Sequence, residues 1–441
     1  MITVDQMKIM AHYARCRYGR RWTDRAAFER WQQAKVLSHI ERIREASPFY
    51  RELWAGLSTA DWQAFPMIDK QAMMEAFDRL NTAGIRKDEA FQLALTAERT
   101  RDFTPAIGDI TVGLSSGTSG SRGLFLVSRS ERLAWAGHVL ARMLPGSLLG
   151  THRIAFFLRA DSNLYGTVQG GRLDFQFYDL LDPLGRHLTR LDVQRPTLLV
   201  APPSMLRLLA EAVEAGRLQI RPKRVIAVAE VLEELDRQMI ESAFGSGLHQ
   251  VYQCTEGFLG ATCRYGTLHL NEDIVCVQKE YLDEGTGRFV PIVTDFSRFA
   301  QPIVRYRLND VLTERSRPCP CGSVYLPIER IEGRCDDVFH LPACEGGGTV
   351  AVFPDSISRA IIAASEEVKA YHVVLLEEGA MEVALEVGVE ASLADVQESV
   401  AQSLGGLCAR VGCRLPELRF RPYEFAPGAR KLRRVERRSG P

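Results

Sequence analysis

Between residues 111 and 252 the chain alternates short apolar runs with stretches whose apolar residues recur every three or four positions. That alternation constrains the fold more than any other feature. Brief apolar runs bounded by turn residues read as strands, and a period of 3.6 reads as amphipathic helix. Strands are expected at 154–158, 197–200, 224–228 and 249–252, and helices at 130–143, 204–215 and 232–244. The pattern argues for an α/β domain with a largely parallel sheet, in which ligands bind at the carboxyl ends of strands.

The flanking regions have other textures. Residues 27–46 carry Trp31, Val36, Leu37, Ile40 and Ile43 at helical spacing, and Pro48 interrupts that helix. More helix is expected on to about residue 80, with a break at Pro66, so residues 1–105 read as a mostly helical start. From 267 to 331 strands dominate, at 274–277, 292–294 and 304–308. Beyond 335–337 the chain restarts as a small α+β unit, with helices at 355–364 and 393–404 and strands at 372–376, 382–387 and 418–422. With 441 residues, more than one core is expected. The expected division is a large N-terminal domain, 1–335, and a small C-terminal domain, 336–441.

Composition excludes several classes. The 55 basic and 55 acidic residues cancel, so no global charge points to nucleic acid or an acidic membrane. No apolar run approaches the roughly 20 residues of a membrane span, and the first twenty residues lack the apolar centre of a signal peptide. A cytoplasmic location is expected. In a reducing compartment the ten cysteines are buried small residues, metal ligands or reactive thiols, not a disulfide framework.

Chemistry gathers in a few places. Ser115, Ser116, Gly117, Thr118, Ser119, Gly120, Ser121, Arg122 and Gly123 form a loop between the apolar runs 110–114 and 124–127. Such a loop presents successive N–H groups as an anion cradle, with hydroxyls as added donors. It lacks the lysine and following helix of the common nucleotide-triphosphatase loop. A phosphate loop in a hairpin and a Gly/Ser linker both remain open from these residues. Tyr252, Thr255 and Glu256 end an expected strand; an aromatic face stacks on a heterocycle, and Thr with Glu suits a hard divalent cation. Asp310 follows the apolar run 304–308, where an aspartate either accepts from a ribose diol or caps a turn. Cys263, His269, Cys319 and Cys321 are a set suited to tetrahedral structural zinc, or else reduced cysteines and a histidine that merely pack. The terminal run Arg430, Lys431, Arg433, Arg434, Arg437 and Arg438 reads by itself as a solvated basic tail.

Taken in order, these pieces resemble the adenylate-forming superfamily of acyl- and aryl-CoA ligases, most closely its phenylacetate–CoA ligase-like branch and the proteins related to coenzyme F390 synthetase. The loop at 115–123 is similar to the phosphate-binding signature, and 252–256 to a Tyr-x-x-Thr-Glu motif. Residues 306–310 resemble the ribose motif, 333–337 a Gly-Arg-x-Asp-Asp hinge, and 428–438 the catalytic-lysine region. Residues 163–171 and 202–204 also look familiar. The resemblance implies an adenylation domain, ATP and Mg²⁺, and two-step ligation of a carboxylic acid to a thiol. It implies that Ser115, Ser116, Gly117, Thr118, Ser119, Gly120 and Arg122 hold phosphates. Glu230 and Tyr252 lie at adenine, Asp310 and Arg334 at ribose, Thr255 and Glu256 at Mg²⁺, and Lys431 is the catalytic lysine with surface arginines around it. Structural zinc on Cys263, His269, Cys319 and Cys321 matches a pattern in some such proteins. Expected partners are a small-molecule carboxylic acid, coenzyme A or a carrier protein, and a second copy of the chain in a homodimer. Nucleic acid and membrane are not expected. An adenylyltransferase and a non-catalytic nucleotide-binding member are the alternatives. The loop departs from the family in having Ser121–Arg122–Gly123 where a proline usually stands, and Arg430 replaces the glycine before the lysine.

Overall fold

The structure is a computed structural model that describes residues 3–19, 21–115, 122–161, 172–425 and 431–438. Its contacts divide the chain into two units: one comprises residues 1–229, 239–308 and 313–330, the other 230–238, 309–312 and 331–441.

The first unit begins with helices whose ends are fixed by side chains. Helix Val4–Tyr18 starts in a Thr3/Gln6 capping box, and Asp24 accepts from the N–H groups of Ala26 and Ala27 to start Arg25–Ala46. Pro48 does more than interrupt this segment. Ser47 caps a new helix, Pro48–Leu53, in which proline takes the first turn, where no N–H is needed. Phe28, Val36, Ile40 and Ile43 are fully buried, so the apolar face read from the sequence is a core face. The helix at Lys87–Thr100 falls within the helical start expected for residues 1–105, beyond the segment to about residue 80 for which helix was read in detail.

A hairpin comes next, β1 (Thr111–Leu114) and β2 (Leu124–Val127), antiparallel with Leu114 opposite Leu124. The main sheet has a parallel half in the order β4-β3-β5-β6-β7, made of Leu173–Asp179, His152–Leu158, Leu198–Ala201, Arg224–Ala227 and Leu248–Cys254. The expected strands are present; β4 is additional. Its neighbours are antiparallel: β7 turns at Thr255–Glu256 into β8 (Gly257–Thr262), and β8 pairs with β9 (Leu268–Leu270). Strands β10 (Val275–Asp283), β11 (Arg288–Asp295), β12 (Ile303–Arg307), β13 (Asp310–Glu314) and β14 (Pro327–Arg334) complete a mixed sheet, in which β9 pairs with the start of β14.

In the second unit a hairpin, β15 (Phe339–Pro342) and β16 (Thr349–Val352), precedes a four-stranded sheet ordered β19-β18-β17-β20. These strands are Leu418–Pro422, Met381–Val387, Val368–Leu375 and Val435–Arg437. Helices Pro354–Ala364 and Leu393–Val411 bury Ile357, Ile361, Val400 and Leu404 against Val373 and Val383. Strand β20 lies in the run read as a basic tail. Val435 pairs in register with Val373.

Candidate active site

In the first unit the hairpin brings the loop ends together. Ser115 N–H donates to the Gly123 carbonyl at 2.7 Å, and Gly123 N–H donates to Ser115 Oγ at 2.7 Å. Ser115 is thereby held as the seat of the loop. Arg122 turns to the helix at Lys87–Thr100, where Nη1 donates to Glu98 Oε2 at 2.8 Å, and its Nε donates to the Ser115 carbonyl at 3.3 Å. The sequence contained no sign of Glu98 as its partner. Ser116, Gly117, Thr118, Ser119, Gly120 and Ser121 lie outside the described residues, as do 162–171, which include the segment 163–171.

The turn between β7 and β8 presents Glu256. Its Oε1 accepts from the Tyr306 hydroxyl at 3.0 Å and its Oε2 from the Thr255 hydroxyl at 2.9 Å. Burial first, and then the Glu256 charge, push the Tyr306 phenol well above its ordinary range, so it stays a donor to the carboxylate. Arg298 braces the same turn, with Nη1 donating to the Thr255 carbonyl at 2.6 Å and Nη2 to the Leu126 carbonyl of β2 at 2.8 Å. Thr255, Glu256 and the hairpin are therefore joined through one buried guanidinium. Tyr252 is buried in β7. Two oriented oxygens on an anchored turn form a donor set that a hard cation can take.

The second unit holds Glu230, Asp310, Arg334 and Lys431. Asp310 opens β13 and Arg334 closes the neighbouring β14; Cys335 N–H donates to the Asn309 carbonyl at 2.8 Å, which brings these strand ends side by side. Lys431 is exposed and lines a small cleft with His372, Tyr423, Phe425 and Glu436. Glu230 Oε1 accepts the Leu432 N–H at 3.0 Å. Arg430 lies outside the described residues. The expectation of surface arginines beside Lys431 fails at Arg434, which is 5% exposed and donates to the fully buried Asp236 at 2.6 Å. A like-charged run ordinarily stays in water; here a buried carboxylate offsets one member. Glu233, beside them, is pushed up to about 7 by burial.

The four sequence-selected cysteine and histidine ligands converge in the first unit, all donor atoms lying within 4.8 Å of one another. Cys263 Sγ is 3.6 Å from Cys319 Sγ, and Cys321 Sγ is 3.4 Å from His269 Nε2. Tetrahedral zinc with ligands at about 2.0–2.3 Å separates them by about 3.5–3.8 Å, so the spacing fits. Gly266 and Gly322 take left-handed φ of 76° and 74°, each three residues beyond a cysteine, and turn the chain tightly. Tyr265 N–H donates to Cys263 Sγ and Ser323 N–H to Cys321 Sγ, both at 3.4 Å. His269 Nδ1 lies 3.1 Å from the Tyr325 carbonyl, which can only accept; Nδ1 is thus the donor, and the Nε2 lone pair faces the thiols.

A scan against protein-family models matches none. In sequence the chain is similar to phenylacetate–coenzyme A ligase of Thermus thermophilus, 26% identical over 245 residues, or 52% of this chain. The chain spans about half the length of that curated relative, 52% of it. In fold it matches 2-hydroxyisobutyryl-CoA ligase, crystallised in the postadenylation state with 2-HIB-AMP, with a TM-score of 0.71 at 18% identity over 92% of this chain and 88% of that one. An acyl acid amido synthetase matches with a TM-score of 0.56 at 14% identity over 88% and 86% of the two chains. The fold is that of the adenylate-forming ligases.

Within this fold, sequence reasoning passed over Arg298, Tyr306 as a Glu256 partner, Glu98 and Asp236, and it placed Arg434 on the surface. Tyr306 stood in a motif already chosen for Asp310 and could have been found there. The others carry no local signal, because each partner is distant in the chain. Arg298 is 43 residues from Thr255 and 172 from Leu126. No helix among the described residues is long and apolar enough to cross a membrane.

Proposed function

We propose that this chain activates a carboxylic acid with ATP to an acyl-adenylate and then delivers the acyl group to a thiol, coenzyme A by preference. The observation that carries the reading is the chain-long likeness in fold to a ligase holding an acyl-AMP. In the first step the acid's carboxylate oxygen attacks the α-phosphorus of ATP and pyrophosphate leaves. Little covalent help is available, so positioning and charge neutralisation do the catalysis. Ser115 seats the loop 115–123, whose N–H groups and hydroxyls hold the β- and γ-phosphates, with Arg122 at its exit. Tyr252 packs at the adenine, with Glu230 neighbouring it; Asp310 and Arg334 hold the ribose. Glu256, oriented by Tyr306 and Thr255, is the carboxylate that would hold Mg²⁺, which when bound neutralises phosphate charge. Lys431 neutralises charge on the α-phosphate and the attacking carboxylate. Residues 336–441 act as the small domain and pivot about Asp336 between the two steps, as one site serving two chemistries requires. Cys263, His269, Cys319 and Cys321 hold a structural zinc; four protein ligands leave no open position for catalysis.

ATP–pyrophosphate exchange across a panel of aryl and medium-chain acids tests this reading. Acid-dependent exchange followed by coenzyme A-dependent AMP release is expected. A stable AMP adduct on an acceptor would instead identify an adenylyltransferase, and no exchange with any acid a nucleotide-binding protein. Lys431→Ala should lower exchange by at least about 100-fold while ATP binding, read by calorimetry, stays within about twofold; undiminished exchange removes Lys431 from the mechanism.

A further inference from the structure

Three consecutive residues after Lys431 are each tied to a different carboxylate of the same unit. Leu432 N–H donates to Glu230, Arg433 Nε donates to Asp337 Oδ2 at 3.1 Å, and Arg434 Nη2 donates to Asp236 Oδ1 at 2.6 Å. The anchors are unequal. The Arg433 side chain is 22% exposed, whereas those of Arg434 and Asp236 are 3% and 0% exposed. Arg434 is held on further sides: its guanidinium lies 5.0 Å over the Tyr371 ring, Nη1 donates to the Tyr371 carbonyl at 3.3 Å, and its own carbonyl accepts Val373 N–H at 2.7 Å.

Stability alone does not explain such a pair, since buried ion pairs are often no better than apolar residues of equal volume. What a planar, buried fork provides is a fixed position. Lys431 stands three residues upstream on a short approach to β20, and its ammonium is carried on a flexible stem. Where that ammonium can act depends on where the backbone at 432–434 is pinned.

The geometry points to Asp236 and Arg434 as positioning residues for Lys431 that act in the first half-reaction and not the second. This rests on the acid-activating reading above, in which Lys431 serves adenylation. Asp236 contributes from the segment 230–238 and touches no reacting atom in that reading. Its loss should displace the lysine while leaving thiol transfer untouched.

Two variants test the inference: Asp236→Asn, and the milder Arg434→Lys, which keeps the charge, loses the fork and guards against a folding failure of the first. Three readouts are taken. They are ATP–pyrophosphate exchange, thioester formation from coenzyme A and chemically prepared acyl-adenylate, and acetic-anhydride labelling of Lys431 relative to the exposed Lys223, quantified by mass spectrometry. Exchange should fall about 100-fold in Asp236→Asn and about tenfold in Arg434→Lys, with thioester formation within about twofold and the labelling ratio raised. Equal losses in both half-reactions would reduce the pair to a structural role and overturn the inference, as would undiminished exchange. If the wild-type chain exchanges with no acid yet the labelling ratio rises in the variants, the functional reading falls and the anchoring of Lys431 stands. A labelling ratio unchanged in both variants overturns the anchoring whatever the activity.

Discussion

Among the described residues of the first unit, two clusters bring metal-type donors within 4.8 Å of one another: Cys263, His269, Cys319 and Cys321, and separately Cys16, His138 and Asp273. Their centres differ. In the first, sulfurs accept backbone N–H groups, an arrangement that orients thiolates toward a shared point. In the second, Arg142 stands among the donors. Its Nη1 donates to Cys16 Sγ at 2.7 Å and lies 3.2 Å from His138 Nδ1, and its Nη2 donates to both Asp273 oxygens at 2.6 and 2.8 Å. A guanidinium is always charged, so it already supplies the positive centre that a metal would bring. Proximity of donors therefore does not define a metal site; the charge of what they surround does.

The largest effect that could break this contrast lies in the first cluster. Native protein should carry about one zinc per chain by elemental analysis, and Cys321→Ser none. Because structural zinc binding is folding free energy on a scale of about 10 kcal/mol, the variant should also lose protease resistance at both cysteine turns. Zinc-free native protein would make the two clusters equivalent and end the distinction.

Next in size is Arg142→Met. It removes the centre of the second cluster and leaves Asp273 without its bidentate partner, at a cost of about 3–5 kcal/mol in apparent stability. Arg142→Met combined with Asp273→Leu should recover most of that loss, measured by thermal melting. A double variant as unstable as the single one would mean that Arg142 matters through Cys16 or His138 rather than through the ion pair.

Legibility in the sequence divides along the same line, local against distant. The hairpin at Thr111–Leu114 and Leu124–Val127 was visible because two apolar runs flank a Gly/Ser loop, and backbone pairing then results. The Cys263/His269 and Cys319/Cys321 pairs announce themselves by close spacing, so only one tertiary convergence had to be supplied. The second cluster comes from three segments spread over more than half the chain, and no spacing rule reaches it. Arg434 was misread for the same reason: its side chain is charged, its neighbours are charged, and the carboxylate that permits burial is 198 residues away. Strand β4, Leu173–Asp179, was missed because strands here were sought as unbroken apolar runs, whereas Leu173, Phe175 and Phe177 alternate with Asp174 and Gln176, the period-two pattern of a half-buried strand at the end of the sheet.

The smallest expected effect separates the clusters by acid. Burial, then the Arg142 charge, lowers His138 to about 4 from an ordinary 6.5; Asp273 opposes this, and His12 and Arg15 add to it. The folded chain thus keeps His138 neutral where the unfolded chain takes a proton, so stability is complete above about pH 6.5 and is lost as pH falls toward 4. The whole window corresponds to about 3 kcal/mol, of which about 1.4 kcal/mol is gone by pH 5.5. His138→Gln, with its zinc content checked at each pH, should flatten the fall in melting temperature between pH 7.5 and 5.5. Parallel slopes in wild type and variant would move the acid sensitivity to the cysteine cluster, where protonated thiols release the metal. In that case the arginine-filled cluster is the acid-resistant one.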